Sequence, residues 1–273
     1  REDRFQARIV KLANIDTPPL GRIPLPAWAN VLSLDAVFVA VVWQQLLMRV
    51  FCNRSTRWSE SVALSLTVWL IYVADRLLDG LKLNTAQPHT LRHRFYRRHR
   101  RIFAPLWVLA LAINTLVVVH LLPAAVMRNG LLLALAVLVY GARVHFTSKR
   151  APRLTAIFEN GSSRSRSLKT SIPKEVRVGV LFALGVSLTT WTQLFAELQI
   201  PSATFGVFDV AVWPLLVTTC GLAFIFSWNC ILVARFEREF DRAQAFPSIA
   251  TRPGWIHRAF LRHDSSVCLG VVL

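Results

Sequence analysis

The chain has 273 residues, of which 54% are apolar and 17% are charged, whereas charged residues occupy about a quarter of the positions in soluble domains. This composition excludes an ordinary soluble domain, a disordered chain and a collagen-like chain, and four cysteines are too few for a disulfide scaffold. A net charge of +17 would suggest nucleic acid as the partner of a soluble protein. We predict an integral membrane protein from this composition. In such a protein the distribution of the basic residues along the chain, rather than the net charge, is informative, because it indicates the orientation in the membrane.

Six stretches are long and apolar enough to cross a bilayer as helices, since each crossing needs about 20 mostly apolar residues. They are residues 28–48, 62–78, 103–122, 130–144, 178–198 and 210–233. Runs such as LLLALAVLV are apolar on every side, whereas barrel strands alternate in polarity. The fourth stretch is the shortest, so we expect its helix to extend past Arg128 and Arg143 or to span with both side chains snorkelling. The predicted fold class is an all-α, polytopic transmembrane helical bundle with at least six spans.

Most basic residues fall on alternate connections between the predicted spans. The N-terminal segment, the second and fourth connections and the region after the sixth span hold 28 lysines and arginines, and the other connections hold 4. The positive-inside rule then places the N-terminus and the three long basic loops in the cytoplasm, and we expect a bacterial inner membrane. The run RHRFYRRHRR at residues 92–101 fits this rule and contact with anionic lipid head groups. No nucleic-acid partner is expected, because no recognisable binding fold accompanies the run.

These signals divide the chain into two parts. Residues 1–26 form a cytoplasmic N-terminal segment, and residues 27–273 form a transmembrane helical domain with cytoplasmic loops near residues 79–102, 145–177 and 235–265. The last seven residues begin a new apolar run, so we expect this domain to be incomplete at its C-terminal end.

Two acidic pairs end the second and sixth predicted spans. Asp75 and Asp79 are four residues apart, as are Glu237 and Asp241, so each pair shares one helix face, and Asn229 lies two turns before Glu237 on that face. Acids at helix C-termini oppose the helix dipole and need positive compensation. Mg2+ is one candidate, because it accepts a few carboxylates and bridges to phosphate oxygens. Interfacial salt bridges are the other, and their candidate partners are Arg76, Arg235, Arg238 and Arg242.

Over roughly residues 27–245 the chain resembles the UbiA superfamily of intramembrane prenyltransferases, whose members carry aspartate motifs at the ends of the second and sixth spans. Asp75 and Asp79 match the last two acids of the first motif, whereas Ile71 and Tyr72 stand at its leading Asn-Asp positions. The second motif, Asp then three residues then Asp, is matched with Glu at its first position by the pair Glu237 and Asp241.

The resemblance implies a Mg2+-dependent transfer of an isoprenyl group from a prenyl diphosphate to an aromatic or lipid-soluble acceptor. All four acids of the two motifs would hold the metal and serve catalysis. The candidate diphosphate or prenyl contacts are Lys149, Arg150, Arg153, Lys174, Asn229 and Tyr72. We expect the second and sixth spans to be neighbours around one cavity, and the loop at residues 145–175 to close over bound diphosphate.

Two other functions remain open at this stage. A catalytically degenerate relative that binds lipid or scaffolds a pathway would explain the missing Asn-Asp positions. An ion-coupled transporter would use Asp35 and the two acidic pairs as an ion path, and we expect Asp35 to face the bundle interior near Asn30 and Gln44. Against this function, both pairs lie at one membrane face, whereas transporter sites usually lie near the midplane.

Overall fold

The computed structural model describes residues 25–82, 91–146, 172–198 and 205–237, and these residues form eight helices without a strand. The helices are α1 (Leu25–Val31), α2 (Leu34–Cys52), α3 (Trp58–Lys82), α4 (Leu91–Arg98), α5 (Arg100–Leu121), α6 (Ala124–Phe146), α7 (Lys174–Leu198) and α8 (Phe205–Phe236). Six of them, α2, α3 and α5 to α8, are long and apolar enough to cross a membrane. The chain is therefore an all-α, multi-pass membrane protein, as predicted. The fourth span includes both Arg128 and Arg143, so the predicted extension of that helix is confirmed.

The first predicted span is two helices rather than one. Helix α1 ends at Val31 and α2 begins at Leu34, because Ser33 adopts the left-handed conformation with a φ of 60°. The Arg76 guanidinium donates a hydrogen bond from Nε to the buried Ser33 Oγ over 3.0 Å, which holds the break against α3. Hydropathy does not detect such a break, so the prediction that the span starts at residue 28 was wrong.

Small residues bring α7 and α8 together as the most extensively packed helix pair among the described residues. They recur every fourth position on both helices, as Gly179, Ala183 and Ser187 on α7 and as Thr219, Ala223 and Ser227 on α8. A Cβ on Gly179 would lie 2.3 Å from the Ser227 backbone nitrogen, so only glycine permits this approach. In lipid, where apolar surface gives helices little reason to associate, such close backbone packing supplies the attraction.

Helix α2 packs against both α3 and α7, and the four helices α2, α3, α7 and α8 share one apolar core. Its fully or nearly fully buried members include Leu47, Val68, Val186, Leu222 and Phe226. Because α2 and α7 occupy the centre, they separate α3 from α8 over most of the length of the bundle.

Helices α5 and α6 are joined by residues 122–123 alone, but they pack against different helices: α5 against α3, and α6 against α7. On α5, the Trp107 indole donates to the Leu70 carbonyl of α3 over 2.8 Å. The Asn114 amide, also on α5, donates to a threonine hydroxyl of α3. On α6, the Asn129 amide donates to the Thr192 hydroxyl of α7 over 3.0 Å. The two helices therefore flank the bundle rather than forming a packed hairpin.

The turn between α2 and α3 is held by a buried polar network at one end of the bundle. The Ser61 hydroxyl donates to Gln44 Oε1 over 3.1 Å, and the Gln45 amide donates to the hydroxyls of Ser61 and Thr56. Gln44 is fully buried here, so it is not the neighbour of Asp35 that we expected.

Candidate functional site

Asp75 lies at the opposite end of the bundle. At this end, the face of α8 that turns toward the core is exposed. Leu222 and Phe226 are buried in the core. Residues seven positions further along a helix lie on nearly the same face, yet Asn229 and Val233 are exposed. The core-facing side of α8 therefore becomes accessible over its last two turns.

Helix α3 shows the same change at the same end. Val68 is buried in the core, and Asp75, seven residues further on, is exposed. Between them Tyr72 is half-buried against the core, with Asp75 and Asp35 close enough for their charges to act on its hydroxyl. We refer to the accessible positions of α3 and α8 at this end, together with Tyr72 and the core residue Phe226, as the α3–α8 cleft.

Two further helices bring polar groups to this cleft. The Tyr140 hydroxyl of α6 donates to the Lys174 carbonyl of α7 over 3.5 Å. Asp75 and Glu175 both lie near that hydroxyl, so α3, α6 and α7 converge there. Glu175 is buried in the first turn of α7, where the helix dipole favours a carboxylate. Cys230 of α8 lies near both Tyr72 and Tyr140, which places the neighbouring Asn229 at the same level.

The predicted site residues divide into three groups. Tyr72, Asp75 and Asn229 line the cleft, and Lys174 contributes its carbonyl beside it. Asp79, one turn beyond Asp75, and Glu237, directly after α8, are half-exposed at the same end of the bundle. Four residues lie outside the described part of the chain, namely Asp241, Lys149, Arg150 and Arg153.

The expected contact between the second and sixth spans is not found as a packed helix pair. Helices α3 and α8 share the core near Val68 and Phe226, but α8 packs principally on α7 and α3 on α2 and α5. The small residues on α7 and α8 explain this difference, because they favour close packing of α8 on α7 over packing on α3. Asp35 was expected to face the bundle interior, but it is exposed in the first turn of α2. Its expected neighbour Asn30 is confirmed, because Asn30 Nδ2 donates a hydrogen bond to Asp35 Oδ2 over 2.9 Å.

The two carboxylates of α3, Asp75 at the cleft and Asp79 one turn beyond it, suit Mg2+ in kind and in minimum number. Within the described residues, no group of three or more His, Cys, Asp or Glu side chains is placed to hold a metal ion. Mg2+ often takes only one or two carboxylates and completes its shell with water and phosphate oxygens. Asp75 and Asp79 share a helix face and supply that number.

Sequence reasoning missed Glu175 and Tyr140. Glu175 follows Lys174 at the start of an apolar span, and an acid in that position could have been recognised as a buried first-turn carboxylate. Tyr140 lies on the same face of α6 as Leu133 and Val137. This face is less exposed than the rest of α6 and is turned toward α7. That spacing would have shown that Tyr140 points toward α7.

No family model, curated protein or solved structure matches this chain.

Proposed function

We propose that this membrane protein is a Mg2+-dependent prenyltransferase that transfers an isoprenyl group from a prenyl diphosphate to an aromatic or lipid-soluble acceptor. The observation that carries the proposal is the α3–α8 cleft, which combines an exposed carboxylate, Asp75, with the apolar core that includes Phe226. A prenyl diphosphate has the same two-part character, since a strongly anionic head is joined to an apolar chain. The proposed orientation places the N-terminus and the cleft on the cytoplasmic side of a bacterial inner membrane.

The side chains of the cleft have distinct proposed roles. Asp75 and Asp79 hold Mg2+ from one helix face, and Glu237 with Asp241 provides the second acidic pair. When bound, Mg2+ neutralises the charge that develops on the departing diphosphate.

Cationic groups and aromatic faces would complete the binding of the substrate. Lys174 begins α7 beside Tyr140, and the charge of Arg177 also reaches that hydroxyl. Both cations would compensate the diphosphate together with Lys149, Arg150 and Arg153. The rings of Tyr72 and Phe226 offer π-faces to an electron-poor prenyl carbon, and the amide of Asn229 can donate to a diphosphate oxygen.

Acceptor-dependent release of diphosphate tests this function directly. The protein would be reconstituted in vesicles with Mg2+, a series of prenyl diphosphates and a panel of quinone-precursor and other aromatic acceptors. We expect Asp75→Asn to lower turnover roughly a hundredfold or more, because one preorganised charge at the reacting group is removed. Glu197→Gln, which alters an exposed acid in the last turn of α7 at the other end of the bundle, is the matched control and should retain activity. Equal turnover of the Asp75 variant and the unaltered protein would contradict the proposal.

One observation favours a second candidate, a degenerate relative that binds prenyl lipids without turnover. Ile71 and Tyr72 replace the leading Asn-Asp of the motif, and Tyr72 is engaged in the core rather than placed as a metal ligand. Such a protein would bind a prenyl diphosphate with Mg2+ and release no diphosphate with any acceptor. Binding and turnover measured on the same preparation therefore separate the two candidates.

A further inference from the structure

Helix α4 lies at the boundary of the membrane on the same side as Asp75. Helix α4 ends at Arg98, and the membrane-spanning helix α5 begins at Arg100. Helix α4 therefore lies at the membrane interface in either orientation of the protein. This position does not depend on the proposed enzymatic function.

The inner side of α4 is fixed by aromatic packing. Phe95 and Tyr96 are buried together with Val73 of α3. The Phe95 ring meets the Trp28 ring of α1 edge-on with centroids 5.7 Å apart, and it meets the Phe103 ring of α5 at 5.5 Å. Burial also raises the pKa of the Tyr96 hydroxyl, because the apolar cluster disfavours the charged phenolate. Because three helices hold α4, the direction of its outer side is set by the fold.

The end of α4 and the start of α5 carry a dense group of arginines. Arg97, Arg98, Arg100 and Arg101 are all exposed, and we refer to them as the arginine face. Within the described residues, Arg98, Arg100 and Arg101 make no side-chain hydrogen bond or ion pair. Along the sequence neither Asp nor Glu occurs between Asp79 and Glu159, although α3 brings Gly80, next to Asp79, against Arg97.

We propose that the arginine face is a binding site for the head groups of anionic phospholipids. Guanidinium groups pair with phosphate oxygens through two parallel hydrogen bonds, and a basic cluster beside a membrane-spanning helix attracts anionic lipid. The helix is held at the depth of the head groups by its own aromatic side, so the arginines meet phosphates without an ordering step. This inference goes beyond general positive charge near a membrane, because it assigns selectivity to one structured face.

Lipid selectivity can be tested on the purified full chain with a charge-matched control. Native mass spectrometry would count bound lipids after titration with phosphatidylglycerol or phosphatidylcholine at two salt concentrations. The test variant carries Arg98→Gln, Arg100→Gln and Arg101→Gln. The control carries Arg49→Gln, Arg57→Gln and Arg128→Gln, three other exposed arginines in the described part of the chain. Both variants lose three positive charges, so they differ only in where the charge is lost.

The unaltered protein and the control should prefer phosphatidylglycerol, and the preference should weaken with salt. Each arginine near a charged surface is worth a factor of about five, so the test variant should lose the preference by tenfold or more. An unchanged preference in the test variant would overturn the proposal, and so would an equal loss in the control, since total charge would then be the cause. Inorganic diphosphate, added as a competitor, should displace phosphatidylglycerol more than phosphatidylcholine. Equal displacement of both lipids would mean that the arginine face does not select head groups, and the proposal would fail.

Discussion

Gly179 determines how closely α7 and α8 approach. An added Cβ would come within 2.6 Å of the Ser227 Cα as well as 2.3 Å of its nitrogen and Oγ, and the backbone cannot rotate away as a side chain does. We predict that Gly179→Ala destabilises the protein by about 1–3 kcal/mol, the usual cost of overpacking a well-packed contact. The midpoint of thermal unfolding in detergent measures this effect.

Two other glycines serve as controls for that substitution. Gly221, on α8, has no neighbour within 4 Å of an added Cβ, and Gly185 meets only the Leu133 Cδ2 at 3.9 Å. Both alanine variants should match or slightly exceed the stability of the unaltered protein, because alanine favours helix over glycine. A fall in stability as large as that of Gly179→Ala would show that α7 and α8 do not pack as described.

At the scale of single residues, the sequence predicts which side chains share a helix face better than it predicts their surroundings. Asp75 and Asn229 are both exposed and Tyr72 packs against the core, and their shared role in one site stays a prediction. Asp35 was expected inside the bundle and is exposed, because the turn at Ser33 moves it to the start of a new helix. A tertiary contact from Arg76 helps to hold that turn, and a local pattern carries no sign of this contact.

At the scale of helices, α6 gives the most direct test of the packing. Its Asn129 amide reaches the Thr192 hydroxyl of α7 at 3.0 Å. In a variant with alanine at the four native cysteines, the pair Asn129→Cys and Thr192→Cys should form a disulfide on mild oxidation, since the two side chains already meet. Altered mobility in a gel, reversed by a reducing agent, measures the cross-link.

The control for the cross-link moves one cysteine to the outer side of α6. Leu132 is highly exposed, at 65%, and faces away from α7. The pair Leu132→Cys and Thr192→Cys should remain reduced under the same conditions. Cross-linking of this pair in preference to the first would mean that α6 is rotated relative to α7.

The spans themselves were predictable, and their partners were not. Six crossings follow from apolar length alone, because the bilayer sets the length of every crossing helix. Pairing depends instead on where small residues lie, as Gly179 and Ser227 show, and on single polar bonds such as that of Trp107. For that reason the expectation that α3 and α8 pack together was wrong while the number of spans was right.

At the scale of the whole molecule, the bundle is tightly closed at one end and open at the other. Gln44, Ser61 and their neighbours close the end near the turn from α2 to α3, whereas α3 and α8 expose core-facing positions at the Asp75 end. We infer that water reaches the bundle from the Asp75 end. A ligand with an anionic head and an apolar chain could then enter the bundle without opening a path across the membrane.

Thiol labelling at position 229 tests the central claim, that the α3–α8 cleft is a water-accessible ligand site on the cytoplasmic side. In the cysteine-free background, Asn229→Cys should react with a membrane-impermeant thiol reagent in inside-out vesicles but not in right-side-out ones. A prenyl diphosphate with Mg2+ should slow that reaction. Phe224→Cys, whose side chain is 67% exposed on the outer side of α8 toward lipid, should stay unreactive. Absence of labelling from both sides, or labelling that the substrate and Mg2+ leave unchanged in a preparation shown to bind them, would contradict the account.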